Sequence, residues 1–96
     1  MFVIIVKYIK PLTEVDRFLG EHSEFMKPYY ASGSFLMSGR QEPRCGGVII
    51  CKANSRLEIE TIVQNDPFNR EKIAEYDIIE FLPSMVAPQL ANFKNK

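Results

Sequence analysis

The chain predicts an α+β fold of order βαββαβ, with four antiparallel strands in one sheet and both helices on one of its faces. Three observations lead there. Two segments, Leu12 to Gly33 and the shorter stretch around Leu57 to Val63, carry apolar residues at helical spacing. Four short runs rich in Val, Ile and Phe flank them: Phe2 to Ile9, Ser34 to Gly39, Val48 to Ala53 and Asp77 to Leu82. Proline and glycine separate these units, with no internal repeat or linker. At 96 residues this is a single domain covering 1–96, in the ferredoxin-like arrangement.

The first strand, FVIIVKYI, is apolar on both alternating sets. Phe2, Ile4, Val6 and Tyr8 fall on one side, and Val3, Ile5 and Ile9 on the other. Pro11 stops it, and Thr13 or Asp16 helps to open the first helix. Val15, Phe18, Leu19, Phe25, Met26 and Tyr29 form that helix's apolar stripe. Asp16, Arg17, Glu21 and Glu24 point to water. Pro28 predicts a kink or break near Met26 or Lys27, and Gly33 ends the segment.

The second strand, SFLMSG, leads into a hairpin, Arg40 to Gly47, where Pro43 and the double glycine read as punctuation. VIICKA returns as the third strand. Asn54 and Ser55 cap the second helix, which stops at Gln64-Asn65-Asp66 because a residue before proline is pushed out of helical geometry. A connector from Phe68 to Ala74, with room for a helical turn, precedes the fourth strand, DIIEFL. The tail from Pro83 is weakly helical around Gln89 to Phe93 and frayed at Lys96.

Composition excludes several classes. Lys and Arg total 12, as do Asp and Glu, and no basic or acidic block occurs, so neither a nucleic-acid footprint nor disorder is indicated. No run approaches membrane-spanning length, and the apolar start is too short for a secretory h-region, so a cytoplasmic location is expected. Cys45 and Cys51 bracket a strand spanning about 20 Å, too far apart for a disulfide. One histidine and no CxxC spacing predict no zinc site. No dinucleotide, Walker or GxSxG motif is present, and no cofactor is implied.

Two helices cover one sheet face, yet the first, third and fourth strands are apolar on both. A second copy packed on the open face accounts for this, which predicts a homodimer.

His22, the only histidine, sits inside the apolar stripe of the first helix. A buried imidazole needs a polar partner, and in this topology Asp66, at the end of the second helix, is the natural candidate. A carboxylate on one ring nitrogen fixes the tautomer and raises the basicity of the other, which then serves as a general base. The plain alternative is a core histidine bonded to backbone or water, with Asp66 in a local turn before Pro67. Tyr29 and Tyr30 close the helix, with at least one hydroxyl near a pocket. Arg40 and Arg44 flank the hairpin: either they take a carboxylate or phosphate, or they are solvated loop arginines, the reading favoured for Arg44.

Several motifs together resemble the YCII-related family of the dimeric α+β barrel superfamily, nearly end to end. They are Leu19-Gly20-Glu21-His22-Ser23-Glu24-Phe25; Ser38-Gly39-Arg40 followed by Arg44-Cys45-Gly46-Gly47-Val48-Ile49; Asn65-Asp66-Pro67-Phe68; and Tyr76-Asp77-Ile78-Ile79-Glu80-Phe81. The resemblance implies a dimeric barrel and a His22/Asp66 catalytic pair. Beside that pair, a substrate pocket drawing on Tyr29, Tyr30, Ser38, Gly39 and Arg40 is expected. Characterised relatives include an enzyme of chloroaromatic breakdown that eliminates chloride. Where many relatives have Gly-Pro after the second strand this chain has Gly39-Arg40, which bears on substrate class. The implied function is a lyase or isomerase without cofactor, in a homodimer or higher oligomer, acting on a small molecule, with an anionic one expected. The alternative is a ligand-binding or accessory module without turnover. The label GTP cyclohydrolase, used for some relatives, finds no support in these residues.

Overall fold

The computed structural model describes residues 1–95. Its elements are β1 (Phe2–Tyr8), α1 (Leu12–Ala31), β2 (Phe35–Arg40), β3 (Gly46–Cys51), α2 (Arg56–Gln64), α3 (Pro67–Arg70) and β4 (Ala74–Glu80), followed by a 3-10 segment at Pro88–Phe93. The strands form one antiparallel sheet in the order β2-β3-β1-β4. The expected α+β architecture is therefore present, with β1 at the centre.

Alternation along β1 decides which face is the core. Phe2, Ile4 and Val6 are buried, whereas Val3 and Ile5 are only half-buried. The buried set packs with Val15 of α1, Ile59, Ile62 and Val63 of α2, and Phe68 of α3, so both long helices lie on that face. Ser55 caps α2 by accepting a hydrogen bond from the Glu58 backbone N–H at 3.2 Å.

Five details differ from the sequence expectation. α1 runs unbroken through Pro28 to Ala31. The proline lies in the last turns, where its missing N–H frees only the carbonyl of Glu24, an exposed residue that water can serve. At its start α1 takes no side-chain cap, with Pro11 rather than Thr13 or Asp16 at the N-cap, and Leu19 of the stripe is exposed. Gly46 and Gly47 belong to β3 rather than to the turn. A Cβ on Gly46 would stand 1.8 Å from the carbonyl oxygen of Val6, so the close approach of β1 requires that glycine. β4 begins three residues before Asp77, at Ala74, because the ladder with β1 continues to the Tyr8–Ala74 pair.

The second sheet face is divided. Met37, Ile50, Val3 and Ile79 share one row across it, and the tail folds over this end. There a cleft of about 290 Å³ is lined by Leu36, Met37, Phe81, Met85 and Leu90, among others. Toward the other end Lys7 pairs with Asp77 at 2.8 Å. Among the described residues no helix is long and apolar enough to cross a membrane. The fraying expected at Lys96 lies outside the described residues.

Candidate functional site

The middle of α1, the loop between α2 and α3, and β4 converge on one buried polar group. His22 hydrogen-bonds through Nδ1 to Asp66 Oδ1 at 2.8 Å, across 44 residues of sequence. Asp66 is 1% exposed and His22 8%. Asp66 does not continue α2: it is the N-cap of α3, and its Oδ1 also accepts from the Phe68 N–H at 3.0 Å. Both sequence readings of Asp66 are thus realised in one side chain, as a local cap and as the partner of His22.

The other carboxylate oxygen is served from the sheet. Tyr76, paired with Val6 and so on the helix-facing side, donates its hydroxyl to Asp66 Oδ2 at 2.7 Å. Burial, reinforced by the adjacent Asp66 charge, raises the phenol's pKa far above its ordinary range, so it remains a donor. Because the backbone N–H and the phenol both donate to an acceptor-only carboxylate, the His22 nitrogen facing it must also be a donor. Nδ1 therefore carries a proton, and in the neutral ring Nε2 carries the lone pair.

Phe68 fixes the ring plane. Its ring stacks on His22 with centroids 4.1 Å apart and planes within 3°, and Tyr8 meets Phe68 edge-on at 6.0 Å. Among the described residues nothing hydrogen-bonds Nε2, and no buried side-chain nitrogen or oxygen lacks a partner. Nε2 consequently reaches the surface. A histidine held by a carboxylate and an aromatic plane, with its free nitrogen accessible, can accept or return a proton.

The other sequence candidates gather elsewhere. Tyr29 stacks on Phe35 with centroids 5.0 Å apart, and the Tyr30 hydroxyl bonds to Ser38 Oγ. Gly39 lies in edge strand β2, and Arg40 at its end bonds Glu42 at 3.1 Å in an exposed pair. None of these five hydrogen-bonds to His22 or Asp66 among the described residues. Arg44 is not a solvated loop residue. It is paired with Asp16, tying the hairpin to α1, and this contact holds the Asp16 carboxyl below its usual range. The partly shielded guanidinium is the reason: its side chain is only 26% exposed.

In the sequence Phe68 and Tyr76 stand only within the family motifs and carry no assigned role, because Phe68 opens a segment read as a connector and Tyr76 stands just before the fourth strand as read from Asp77. The two-residue alternation of Ala74, Tyr76 and Ile78 was the available signal. Both cysteines are free thiols; Cys45 is exposed and Cys51 buried. Burial pushes the Cys51 thiol up to about 11. Among the described residues no group of three or more His, Cys, Asp or Glu side chains is placed to hold a metal.

Comparison with known proteins adds a family and a fold. The YCII-related domain matches residues 1–82, and the chain belongs to that family. No curated protein sequence matches significantly. Among solved structures, the chain is similar to 5-chloro-2-hydroxyhydroquinone dehydrochlorinase from Burkholderia phenoliruptrix, in complex with 2,5-dihydroxybenzoquinone. The TM-score is 0.72 at 19% identity, covering 86% of this chain and 95% of that one, a likeness of fold.

Proposed function

We propose that this YCII-related protein is a small-molecule enzyme of lyase or isomerase type, with His22 as general base and acid and Asp66 as its orienting carboxylate. The observation that carries the reading is the buried 2.8 Å bond between His22 Nδ1 and Asp66, which leaves Nε2 free of any protein partner among the described residues. Nε2 takes a proton from carbon or oxygen next to a carbonyl of the bound molecule. In an isomerisation the electron pair left behind shifts a double bond and the imidazolium returns its proton to the product. In an elimination the pair expels the leaving group as an anion, and the imidazolium gives its proton to that anion or to solvent. The structural neighbour acts on a chlorinated hydroxyhydroquinone, which makes phenolic and quinonoid compounds the first class to try.

The monomer supplies little enclosure around His22. The cleft of about 480 Å³ that includes Tyr76 is not lined by His22, nor is the one beside Tyr29. This gives the non-catalytic, ligand-holding module its best argument. The homodimer, with a second copy on the open sheet face completing the barrel, is supported instead by the row of Val3, Met37, Ile50 and Ile79 on that face. Tyr29, Tyr30, Ser38, Gly39 and Arg40 belong to the pocket only in that wider assembly, where Arg40 would meet an anionic group. A cytoplasmic setting is in keeping with two unpaired thiols.

The test is direct. Wild type is mixed with 5-chloro-2-hydroxyhydroquinone and chloride release is followed, beside thermal shift with 2,5-dihydroxybenzoquinone. Turnover lost in His22→Ala and Asp66→Asn, with binding retained, supports the enzyme. Binding that persists without turnover in wild type supports the accessory module. A monomeric mass at micromolar concentration by sedimentation sinks the dimer.

A further inference from the structure

We infer that Tyr76 is a positioning residue of the His22–Asp66 pair, its hydroxyl selecting the imidazole tautomer that leaves Nε2 free. The inference rests on the reading of that pair as functional, but its test does not depend on turnover.

The carboxylate of Asp66 has its two oxygens held differently. Oδ1 receives His22 Nδ1 at 2.8 Å and the Phe68 N–H at 3.0 Å, whereas Oδ2 receives the Tyr76 hydroxyl at 2.7 Å. The side chain is 1% exposed, so in the folded protein Oδ2 is covered and the phenol is its donor. Two donors on one oxygen do not by themselves fix the plane of a carboxylate, which turns readily about its Cβ–Cγ bond. The third contact, on the opposite oxygen and from a different element of the fold, removes that freedom.

Without the phenol, Oδ2 is a buried acceptor with no donor. Rotation of the carboxylate relieves this by sharing the remaining donors between both oxygens, and it carries Oδ1 out of line with His22. The Nδ1 proton then loses its charged acceptor. A free histidine side chain prefers its proton on Nε2, so the ring drifts to the tautomer that cannot act as a base at that nitrogen.

Tyr76 is suited to the task because it sits on the central-strand side of β4. Its pairing with Val6 holds the backbone on the ladder, and Val6 itself is 2% exposed. With the backbone held by the ladder, the hydroxyl can shift only by rotation of the Tyr76 side chain. The group is thus a rigid reference for the carboxylate, where a loop residue would not be.

A single histidine in the chain makes the experiment clean, since the ring nitrogens in a nitrogen-15 spectrum belong to His22 alone. In wild type, under conditions where the ring is neutral, Nδ1 is expected to show the protonated shift and Nε2 the lone-pair shift. In Tyr76→Phe the ratio is expected to move about tenfold toward protonated Nε2, the scale of one charge-assisted hydrogen bond. Asp66→Asn, which keeps a carbonyl oxygen but no charge, sets the limit for loss of the charged acceptor. If Tyr76→Phe melts at a lower temperature but keeps the wild-type ratio, the residue is merely structural and the inference falls. Should that variant fail to fold, the wild type still decides: a slowly exchanging Tyr76 hydroxyl proton coupled through space to the Asp66 side chain supports the latch, and a freely exchanging one overturns it. A shifted ratio in a protein with no turnover leaves the positioning role standing and removes only the catalytic reading. Turnover that needs His22 and Asp66 but survives Tyr76→Phe unchanged does the reverse.

Discussion

The middle of α1 and its C-terminal end both join a helix to the sheet through side-chain hydrogen bonds, yet they differ in what holds them. At the middle, His22, Asp66, Phe68 and Tyr76 come from three elements and the loop between them, and every polar atom facing inward has a partner within 3.0 Å. At the end, Tyr30 meets Ser38 and Arg40 meets Glu42, all on exposed ground at the sheet edge. Water competes for the second set and not for the first. The same bond types therefore contribute little at one place and govern side-chain orientation at the other. That difference makes the middle of α1 the stronger candidate site, the one on which the proposed function rests.

The largest break in the comparison is Asp66→Ala. It strands His22 Nδ1, the Phe68 N–H and the Tyr76 hydroxyl together, and the expected loss by urea denaturation is about 3–5 kcal/mol. A loss below about 1 kcal/mol would mean that the trio is no better shielded than the edge. Phe68→Leu keeps apolar volume but removes the plane stacked on His22. About 1–2 kcal/mol of stability should go, and proton relaxation of the imidazole should report a freer ring.

Ionisation separates the regions next. Cys51 and Tyr76 both have folded-state values raised by burial, so the folded protein keeps protons that the unfolded chain releases. Their contribution to stability is whole below the ordinary thiol range and declines as pH rises, for Cys51 through the window up to about 11. The alkaline arm of the stability curve is expected to be shallower in Tyr76→Phe than in wild type. At pH 8, a thiol reagent should modify Cys45 in the native protein and leave Cys51 untouched until the chain unfolds; equal rates would contradict the burial. The smallest effect is expected from Tyr30→Phe. Removing the exposed hydroxyl should change stability by no more than about 0.5 kcal/mol.

The order of elements and the choice of His22 and Asp66 were legible because each rests on short-range signals. Proline and glycine placement, the two-residue and helical periods, and the oddity of one histidine in an apolar stripe suffice for that. Leu19 shows the limit of periodicity, since it falls within the stripe by spacing and yet lies at its exposed margin. Gly46 shows another: a double glycine reads as a turn until the Val6 carbonyl is seen against it.

What only the tertiary structure decided is how the groups meet. Asp66 as a bridge between a local cap and a distant imidazole follows from α3 starting directly after it. Tyr76 enters only because β4 pairs with β1 three residues earlier than its apolar run begins. The surface salt bridge of Arg44 depends on the hairpin folding back to Asp16. Sequence periodicity reports which face a residue is on, since that is set by the chain's own geometry. The partner across that face depends on the relative placement of separate elements, which is set by packing the whole core.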